Sequence, residues 1–168
     1  YLCHPSMANN ELSGPVVISK LIKNIMNKKN FFSSRFVIVP ETIGSIAYIS
    51  KNLNQMKKNI MHGINLSCIG DNRSYSFITS RKNNTITDRI TKYVSKELSK
   101  KFKEYSWNDR GSAEKNYCAP GIDLTVCTIL RSKFGKYKEY HTSEDKLCRL
   151  YTSPRPRAGL LSRLPSPA

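Results

Sequence analysis

The hydrophobic positions of this chain alternate between helical and strand spacing up to about residue 130. Over residues 15–29 and again over 45–58, apolar residues recur every three or four positions, which is typical of amphipathic helices. The clearest helix is predicted from about Thr85 to Phe102, with Thr85 as its N-cap and Asp88 three residues later. Its apolar stripe consists of Ile86, Ile90, Val94 and Leu98.

Short apolar runs between these helices predict strands. They cover residues 35–39, 64–69, 74–79, 103–107 and 122–130. Alternating helices and strands predict an α/β fold with a mostly parallel sheet that helices cover on both faces. Functional sites in such sheets gather at the carboxyl ends of the strands. Glu41, Asp71 and His141 all follow predicted strands, so we expect them to converge.

The chain has 168 residues and is 39% hydrophobic, which predicts one domain with a sizeable core. We place this domain at residues 1–150. Residues 151–168 contain four prolines and three arginines but no lysine, isoleucine or asparagine, which predicts a disordered tail. A proline-rich docking peptide is the alternative for this tail. Because Tyr1 opens the chain and His4 lies almost at its terminus, we expect a fragment of a longer domain.

The formal net charge of +16 would attract nucleic acid or an anionic surface, and this binding function stays open as an alternative. The basic residues are dispersed, however, without a dense block of basic and aromatic residues, so nucleic acid is not the expected partner. Five cysteines without a CxxC pair indicate reduced thiols. No apolar run approaches the length of a membrane span, so we expect a cytoplasmic protein without a membrane partner. The sequence does not predict an oligomeric state.

Five side chains offer candidate metal ligands: two of the three histidines and three carboxylates. They are His4, Glu11, Glu41, Asp71 and His141. This mixed nitrogen and oxygen set suits zinc or a related divalent metal. A thiol nucleophile with a histidine base, Cys3 beside His4, is disfavoured because adjacent residues on an extended strand point to opposite faces.

Arg110 lies in a polar loop, Asp109-Arg110-Gly111-Ser112, between two predicted strands. Binding loops commonly occupy such positions, and the guanidinium could bind a substrate carboxylate or phosphate in bidentate fashion. An ordinary surface arginine is the alternative interpretation.

Several segments of the chain, in order, resemble bacterial aminopeptidase-like proteins of uncharacterised function, some of which are named for polysaccharide biosynthesis. The segments are CHPSMANNELSGP (3–15), VPETIGS (39–45), NLSCIGD (65–71), DRGS (109–112), YCAPGID (117–123) and YHTSED (140–145). These proteins are distant relatives of the zinc aminopeptidases. The resemblance covers residues 1–148 and ends before the proline-rich tail.

The resemblance implies a three-layer α/β/α fold of the phosphorylase/hydrolase type, with a sheet that is incomplete at its N-terminus. It also implies a pair of zinc sites at the sheet edge. His4 and His141 match the histidines that open and close the ligand set of related enzymes, and Glu11 and Asp71 are the carboxylates expected to join them. Glu41 matches the glutamate at a strand end and is expected to act as the general base or as a ligand.

Three departures from the aminopeptidase pattern remove negative charge. Asn10 stands where related enzymes have a metal-bridging aspartate, Thr42 replaces a second glutamate, and Ser67 replaces an aspartate. We therefore expect one zinc rather than two, with Asn10 left to contact substrate. The implied activity is metal-dependent hydrolysis of an amide or peptide bond in a small substrate. A module that kept the fold and binds metal or substrate without turnover is the alternative.

Overall fold

A computed structural model describes residues 2–146, which form a four-stranded mixed sheet with helices around it. The strands are β1 (Gly63–Leu66), β2 (Ser76–Ile78), β3 (Lys103–Tyr105) and β4 (Val126–Leu130). Their order across the sheet is β1-β4-β2-β3. β1 runs parallel to β4 and β2 parallel to β3, whereas β2 and β4 are antiparallel. The predicted α/β class is confirmed.

Four α-helices and two shorter helical segments surround this sheet. They are α1 (Ser13–Met26), α2 (Ile43–Asn59), α3 (Ile86–Leu98), α4 (Glu114–Tyr117), a π-helix (Ala8–Leu12) and a 3₁₀ turn (Trp107–Asp109). Over residues 2–146, none of the helices is both long and apolar enough to cross a membrane. The predicted tail, residues 151–168, lies outside the described residues.

The central strand β4 carries a different helix layer on each face. Val126 packs in a core with Ile49 and Met56 of α2, whereas the next residue, Cys127, contacts Thr91 of α3 through its sulfur at 3.2 Å. Successive residues of a strand point to opposite faces of the sheet. α2 and α3 therefore lie on opposite faces, which gives the three layers that the sequence predicts.

The mostly parallel sheet expected from the sequence is wrong at one junction, between β2 and β4. β1 and β2 are joined by a short loop that contains the Gly70-Asp71-Asn72-Arg73 turn cluster and no helix. A parallel crossover needs a connection of about a dozen residues or more, usually a helix. The chain instead reverses direction here, whereas β2 and β3, which α3 connects, and β1 and β4 follow the expected parallel arrangement.

The strand predicted over residues 35–39 is also wrong. This segment is extended, but it pairs with none of the sheet strands within the described chain. Its backbone carbonyl at Val39 accepts a hydrogen bond from the amide of Leu2 at 3.1 Å. The segment therefore lies beside the N-terminal residues and still delivers Glu41 to the start of α2.

Helix α3 begins where the sequence predicts, because Thr85 and Asp88 form a complete capping box. The Thr85 hydroxyl accepts a hydrogen bond from the backbone amide of Asp88, and the Asp88 carboxylate accepts one from the backbone amide of Thr85 at 2.9 Å. Asp88 also accepts the backbone amide and the hydroxyl of Ser80, each at 2.7 Å. The cap therefore joins the helix start to the loop that follows β2.

The face that α3 buries is rotated away from the one its pattern predicts, toward the side that carries Thr87, Asp88 and Thr91. The stripe residues Ile86, Ile90, Val94 and Leu98 are 46–55% exposed. The buried residues of the helix are Thr87, Asp88 and Thr91. The hydroxyls of Thr87 and Thr91 reach the Thr125 carbonyl and the Cys127 sulfur, so polar contacts with β4 and the capping box fix the rotation of the helix.

The two ends of the described chain are joined by the carboxylate of Asp145, which is buried. It accepts the backbone amides of Asn9 at 2.7 Å and Asn10 at 3.0 Å, while its own carbonyl accepts the amide of Ala8 at 2.9 Å. These amides belong to the first turn of the π-helix, where no donor has a partner within the helix. Asp145 thus satisfies the start of the π-helix and holds the C-terminal segment against it.

Replacing Asp145 tests this closure. We expect Asp145→Asn to lower the free energy of unfolding by about 1.5–3 kcal/mol, because hydrogen bonds to a charged acceptor lose that charge. Urea unfolding of the two proteins measures the difference. The neighbouring exposed carboxylate provides the control, Glu144→Gln, which should change stability by less than about 0.5 kcal/mol. An equal loss in both variants would contradict the assigned role.

The capping box makes a separate prediction for α3. Thr85→Ala should lower the free energy of unfolding by about 1 kcal/mol, since the side-chain acceptor of the first turn is lost. Thr85→Ser keeps the hydroxyl and should retain most of the stability. Thermal or urea unfolding monitored by circular dichroism compares the three proteins, and an alanine variant as stable as the parent would refute the cap.

Candidate functional site

The π-helix determines which side chains enter the candidate site. Asn9, Asn10 and Glu11 are all buried, although each carries a polar side chain. The wider turn of a π-helix occurs mostly as a single turn and is frequent at functional sites. Here it turns three consecutive polar residues inward at the start of α1.

Glu11 organises the N-terminal segment around its carboxylate. One oxygen lies 2.9 Å from Nδ1 of His4 and also accepts the Asn10 side-chain amide at 3.0 Å. The other oxygen accepts the backbone amide of Cys3 at 2.6 Å. Every one of these contacts orients a neighbouring residue, so Glu11 holds both His4 and the backbone before it.

His141 reaches the same place from the other end of the chain. Its ring centroid lies 4.3 Å from that of His4 and 3.9 Å from that of Tyr140, on which it stacks. Its φ of +56° is uncommon for a residue with a side chain, and such conformations concentrate at functional sites. Burial lowers the pKa of His141, and the nearby His4 ring lowers it further, which favours the neutral imidazole.

Glu41 lies between the extended segment 35–39 and the start of α2. Gly44 makes this approach possible, because a Cβ there would lie 2.7 Å from the Pro40 ring and 2.8 Å from the Val39 side chain. Burial raises the pKa of the Glu41 carboxyl above its usual value, and the Lys115 ammonium opposes this shift. Glu41 is thus a carboxylate whose charge is only partly compensated.

Three donor atoms in this region lie within one small space. The Cys3 sulfur, a ring nitrogen of His4 and a carboxylate oxygen of Glu41 are all within 4.8 Å of one another. Over residues 2–146, this is the one group of three or more such side chains that meets this criterion. A neighbouring cavity of about 280 Å³ is lined by residues 2–7 together with Glu11 and Leu12.

The structure therefore brings together four of the predicted site residues: His4, Glu11, Glu41 and His141. Asn10 joins them, but its side chain is buried against protein. Its amide donates to Glu11, and its carbonyl oxygen accepts the thiol of Cys68 at 3.4 Å. These contacts assign Asn10 to the support of Glu11 and His4, whereas the sequence suggested contact with substrate.

Asp71 lies outside the three-donor group. Its carboxylate accepts the amide of Arg73 at 2.8 Å, the amide and hydroxyl of Ser132 at 3.2 and 3.1 Å, and the side-chain amide of Asn9 at 3.2 Å. Four donors thus surround the two oxygens. Asp71 fixes Asn9, and so the π-helix, from behind the site.

Arg110 is exposed and is not brought to the cluster. Its guanidinium lies 5.0 Å above the Trp107 ring and donates to the Trp107 carbonyl at 3.3 Å. The loop that carries it is fixed by the fully buried Glu114, which accepts the amides of Gly111 at 2.9 Å and Ser112 at 3.1 Å. The DRGS segment therefore has a structural explanation that does not involve the arginine side chain.

Sequence reasoning missed two contributors to this site, Cys3 and Asp145. An extended strand would turn the Cys3 side chain away from His4, but the chain bends at His4 and turns at Pro5 and Ser6. Ser6 has a φ of +65° in this turn. The bend is what allows the Cys3 and His4 donors to lie together. The proline and serine after His4 were the sequence signal for such a turn.

The other described cysteines differ from Cys3 in environment. Cys68, Cys118 and Cys127 are buried, whereas Cys3 is exposed. Burial raises the pKa of the Cys68 thiol to about 11 and that of Cys127 to about 12. These buried thiols are protonated and inert at neutral pH. Cys3 alone among them has access to solvent and to the cluster.

This chain is similar in sequence and in structure to proteins from a bacterium. A Clostridium acetobutylicum protein named "Putative polysaccharide biosynthesis protein with aminopeptidase-like domain" is 36% identical over 148 residues, which are 88% of this chain and 34% of that protein. A crystal structure of a "putative peptidase" from the same organism is similar with a TM-score of 0.83 and 34% identity, covering 88% of this chain and 36% of the other. The chain thus spans about a third of the length of these relatives.

The family comparison covers nearly the whole chain. Residues 1–154 match the family described as "Domain of unknown function (DUF4910)". The resemblance to aminopeptidase-like proteins is confirmed by the named relative and by the solved structure. The chain belongs to the DUF4910 family, and one of its relatives is named for an aminopeptidase-like domain.

Proposed function

We propose that this protein is a metal-dependent amide or peptide hydrolase of the aminopeptidase type, which uses one zinc ion. The observation that carries the proposal is the convergence of His4, Glu11, Glu41 and His141, which come from three distant segments of the chain. Imidazole and carboxylate groups in one partly solvated place are the usual components of a zinc hydrolase site. The names of the two relatives point to the same class.

The residues present fit zinc as the resident metal. His4 and His141 are the proposed imidazole ligands, since their rings are in contact and both are accessible. Glu11 serves as the outer carboxylate that orients His4, because a metal-binding histidine usually gives its other ring N–H to such a group. Zinc bound there supplies a Lewis acid that polarises the amide carbonyl of a substrate.

Glu41 is the proposed general base. Its carboxylate borders the His4 ring nitrogen within 4.8 Å. A general base works best when its pKa approaches the working pH, and burial moves the pKa of Glu41 in that direction. The Lys115 ammonium opposes the shift and favours the ionised carboxylate, which is the form that takes a proton from the attacking water.

The proposed substrate is a small peptide or an amide, including the amide of an N-acylated amino sugar. The cavity beside His4 has a volume of about 280 Å³ and contains Leu2, Met7 and Leu12 in its lining. A cavity of this size can hold one small apolar group next to the scissile amide. A role in polysaccharide biosynthesis would supply amino-sugar amides, and the name of the sequence relative supports this class.

Metal content provides the first test. Purified protein loaded with zinc and passed through a desalting column should retain about one equivalent, and His141→Ala should retain much less because one imidazole ligand is lost. His62→Ala is the matched control, since His62 lies at the far end of α2 and contacts Phe32. Elemental analysis measures the zinc. No retained zinc in the parent protein would overturn the metal assignment.

Turnover provides the second test. With a panel of aminoacyl p-nitroanilides and N-acetylated amino sugars, hydrolysis should depend on zinc and stop with a chelator. Glu41→Gln should lower kcat by about 10²–10⁴-fold while zinc content is unchanged, because the base loses its charge and the ligands remain. Glu97→Gln, on the exposed face of α3, should leave kcat unaltered. Retained zinc without hydrolysis in the parent protein would instead identify a binding module.

A further inference from the structure

We propose that Cys3 is a thiolate ligand of this metal site and completes a protein ligand set of one sulfur and two imidazole nitrogens. The inference rests on the proposed function, which places zinc between His4 and His141. It adds a residue that the aminopeptidase resemblance does not use as a ligand. It also gives the site the anionic ligand that its departures from the aminopeptidase pattern removed.

The first argument is geometric. The Cys3 sulfur lies within 4.8 Å of both the His4 nitrogen and the Glu41 oxygen. With bonds of about 2.3 Å to sulfur and 2.0 Å to nitrogen, two ligand atoms of a tetrahedral zinc are about 3.5 Å apart. A rotation of the exposed Cys3 side chain closes the difference, since its backbone is already held by the Glu11 carboxylate.

The second argument is electrostatic. Two neutral imidazoles leave the full charge of a dication uncompensated, the Glu11 and Asp71 carboxylates accept hydrogen bonds from other groups, and Glu41 is reserved as the base. Glu11 accepts hydrogen bonds from the Cys3 amide and the Asn10 side chain and contacts His4, and Asp71 accepts four hydrogen bonds behind the π-helix. A Cys3 thiolate places one negative charge directly on the metal.

The third argument concerns the coordination position that this ligand set leaves open on the metal. Catalytic zinc sites commonly have three protein ligands and one open position. The three-donor group is Cys3, His4 and Glu41, and the His141 ring contacts it through His4, with centroids 4.3 Å apart. Rotation of the His141 ring would bring its nitrogen to the metal as the third ligand, which leaves the Glu41 carboxylate beside the site as the base. A fully closed set of four protein ligands would be typical of a structural zinc site instead.

Cobalt substitution tests the sulfur ligand directly. Co²⁺ bound by a thiolate shows an intense near-ultraviolet charge-transfer absorption that nitrogen and oxygen ligands do not produce. We expect this absorption when the parent protein is titrated with Co²⁺, and we expect Cys3→Ser to lose it. Cys148→Ser, which alters a cysteine outside the described residues, should keep it, as should Cys118→Ser, which alters a buried one.

Affinity provides an independent reading on the same proteins. Loss of an outer contact to a ligand already weakens metal binding by 10–100-fold, so we expect Cys3→Ser to weaken zinc binding by about 100-fold or more in competition with a chromophoric chelator. Cys3→His replaces sulfur by nitrogen. It should recover most of the affinity without restoring the charge-transfer absorption.

The outcomes separate this inference from the proposed function. Tight binding of one Co²⁺ without the sulfur absorption, unchanged in Cys3→Ser, overturns the role of Cys3 and leaves the zinc hydrolase intact. Absence of both Co²⁺ and Zn²⁺ binding overturns the two together. Absorption that persists in Cys3→Ser and disappears in Cys148→Ser also refutes the inference, because a different cysteine is then the ligand.

Discussion

The candidate site depends on one buried interaction, in which the Asp145 carboxylate binds the first amides of the π-helix. This contact joins residues 135 and 136 positions apart along the chain. It places His141, four residues before Asp145, against the ring of His4. A charged acceptor on unpaired helix donors suits this purpose, because both partners would otherwise be buried without hydrogen bonds. The hydrogen bonds of the Asp145 carboxylate therefore hold the segment with His141 next to the segment with His4.

The acidic residues fall into two groups according to whether the carboxylate accepts hydrogen bonds from the surrounding protein. Glu11, Asp71 and Glu114 are buried and surrounded by donors, so each fixes backbone or a neighbouring side chain. Among residues 2–146, Glu41 has no such set of donors, and burial raises its pKa. A carboxylate that is not used for structure is the one available for chemistry. In this protein the supporting acids and the proposed general base differ in their hydrogen bonds rather than in their residue type.

This distinction explains how far sequence reasoning could predict the site. His4, Glu41 and His141 are predicted because they lie in segments that resemble aminopeptidase-like proteins, and Glu11 lies within the first of these segments. Asp71 had the correct residue type at a strand end, yet nothing in the sequence indicated that Ser132 and Asn9 would occupy its oxygens. An extended strand would have turned the Cys3 thiol away from His4. The turn after His4 removes that objection.

By itself, the sequence determined the local structure: the helices, most of the strands, the Thr85 cap and the residue types able to bind a metal. Periodicity and capping act between neighbours, so a linear pattern records them. The tertiary structure alone decided the antiparallel junction of β2 and β4, the face that α3 buries, and which acids remain without donors. Those outcomes depend on contacts such as Thr91 with Cys127 and Asp145 with Asn9, whose partners are far apart along the chain.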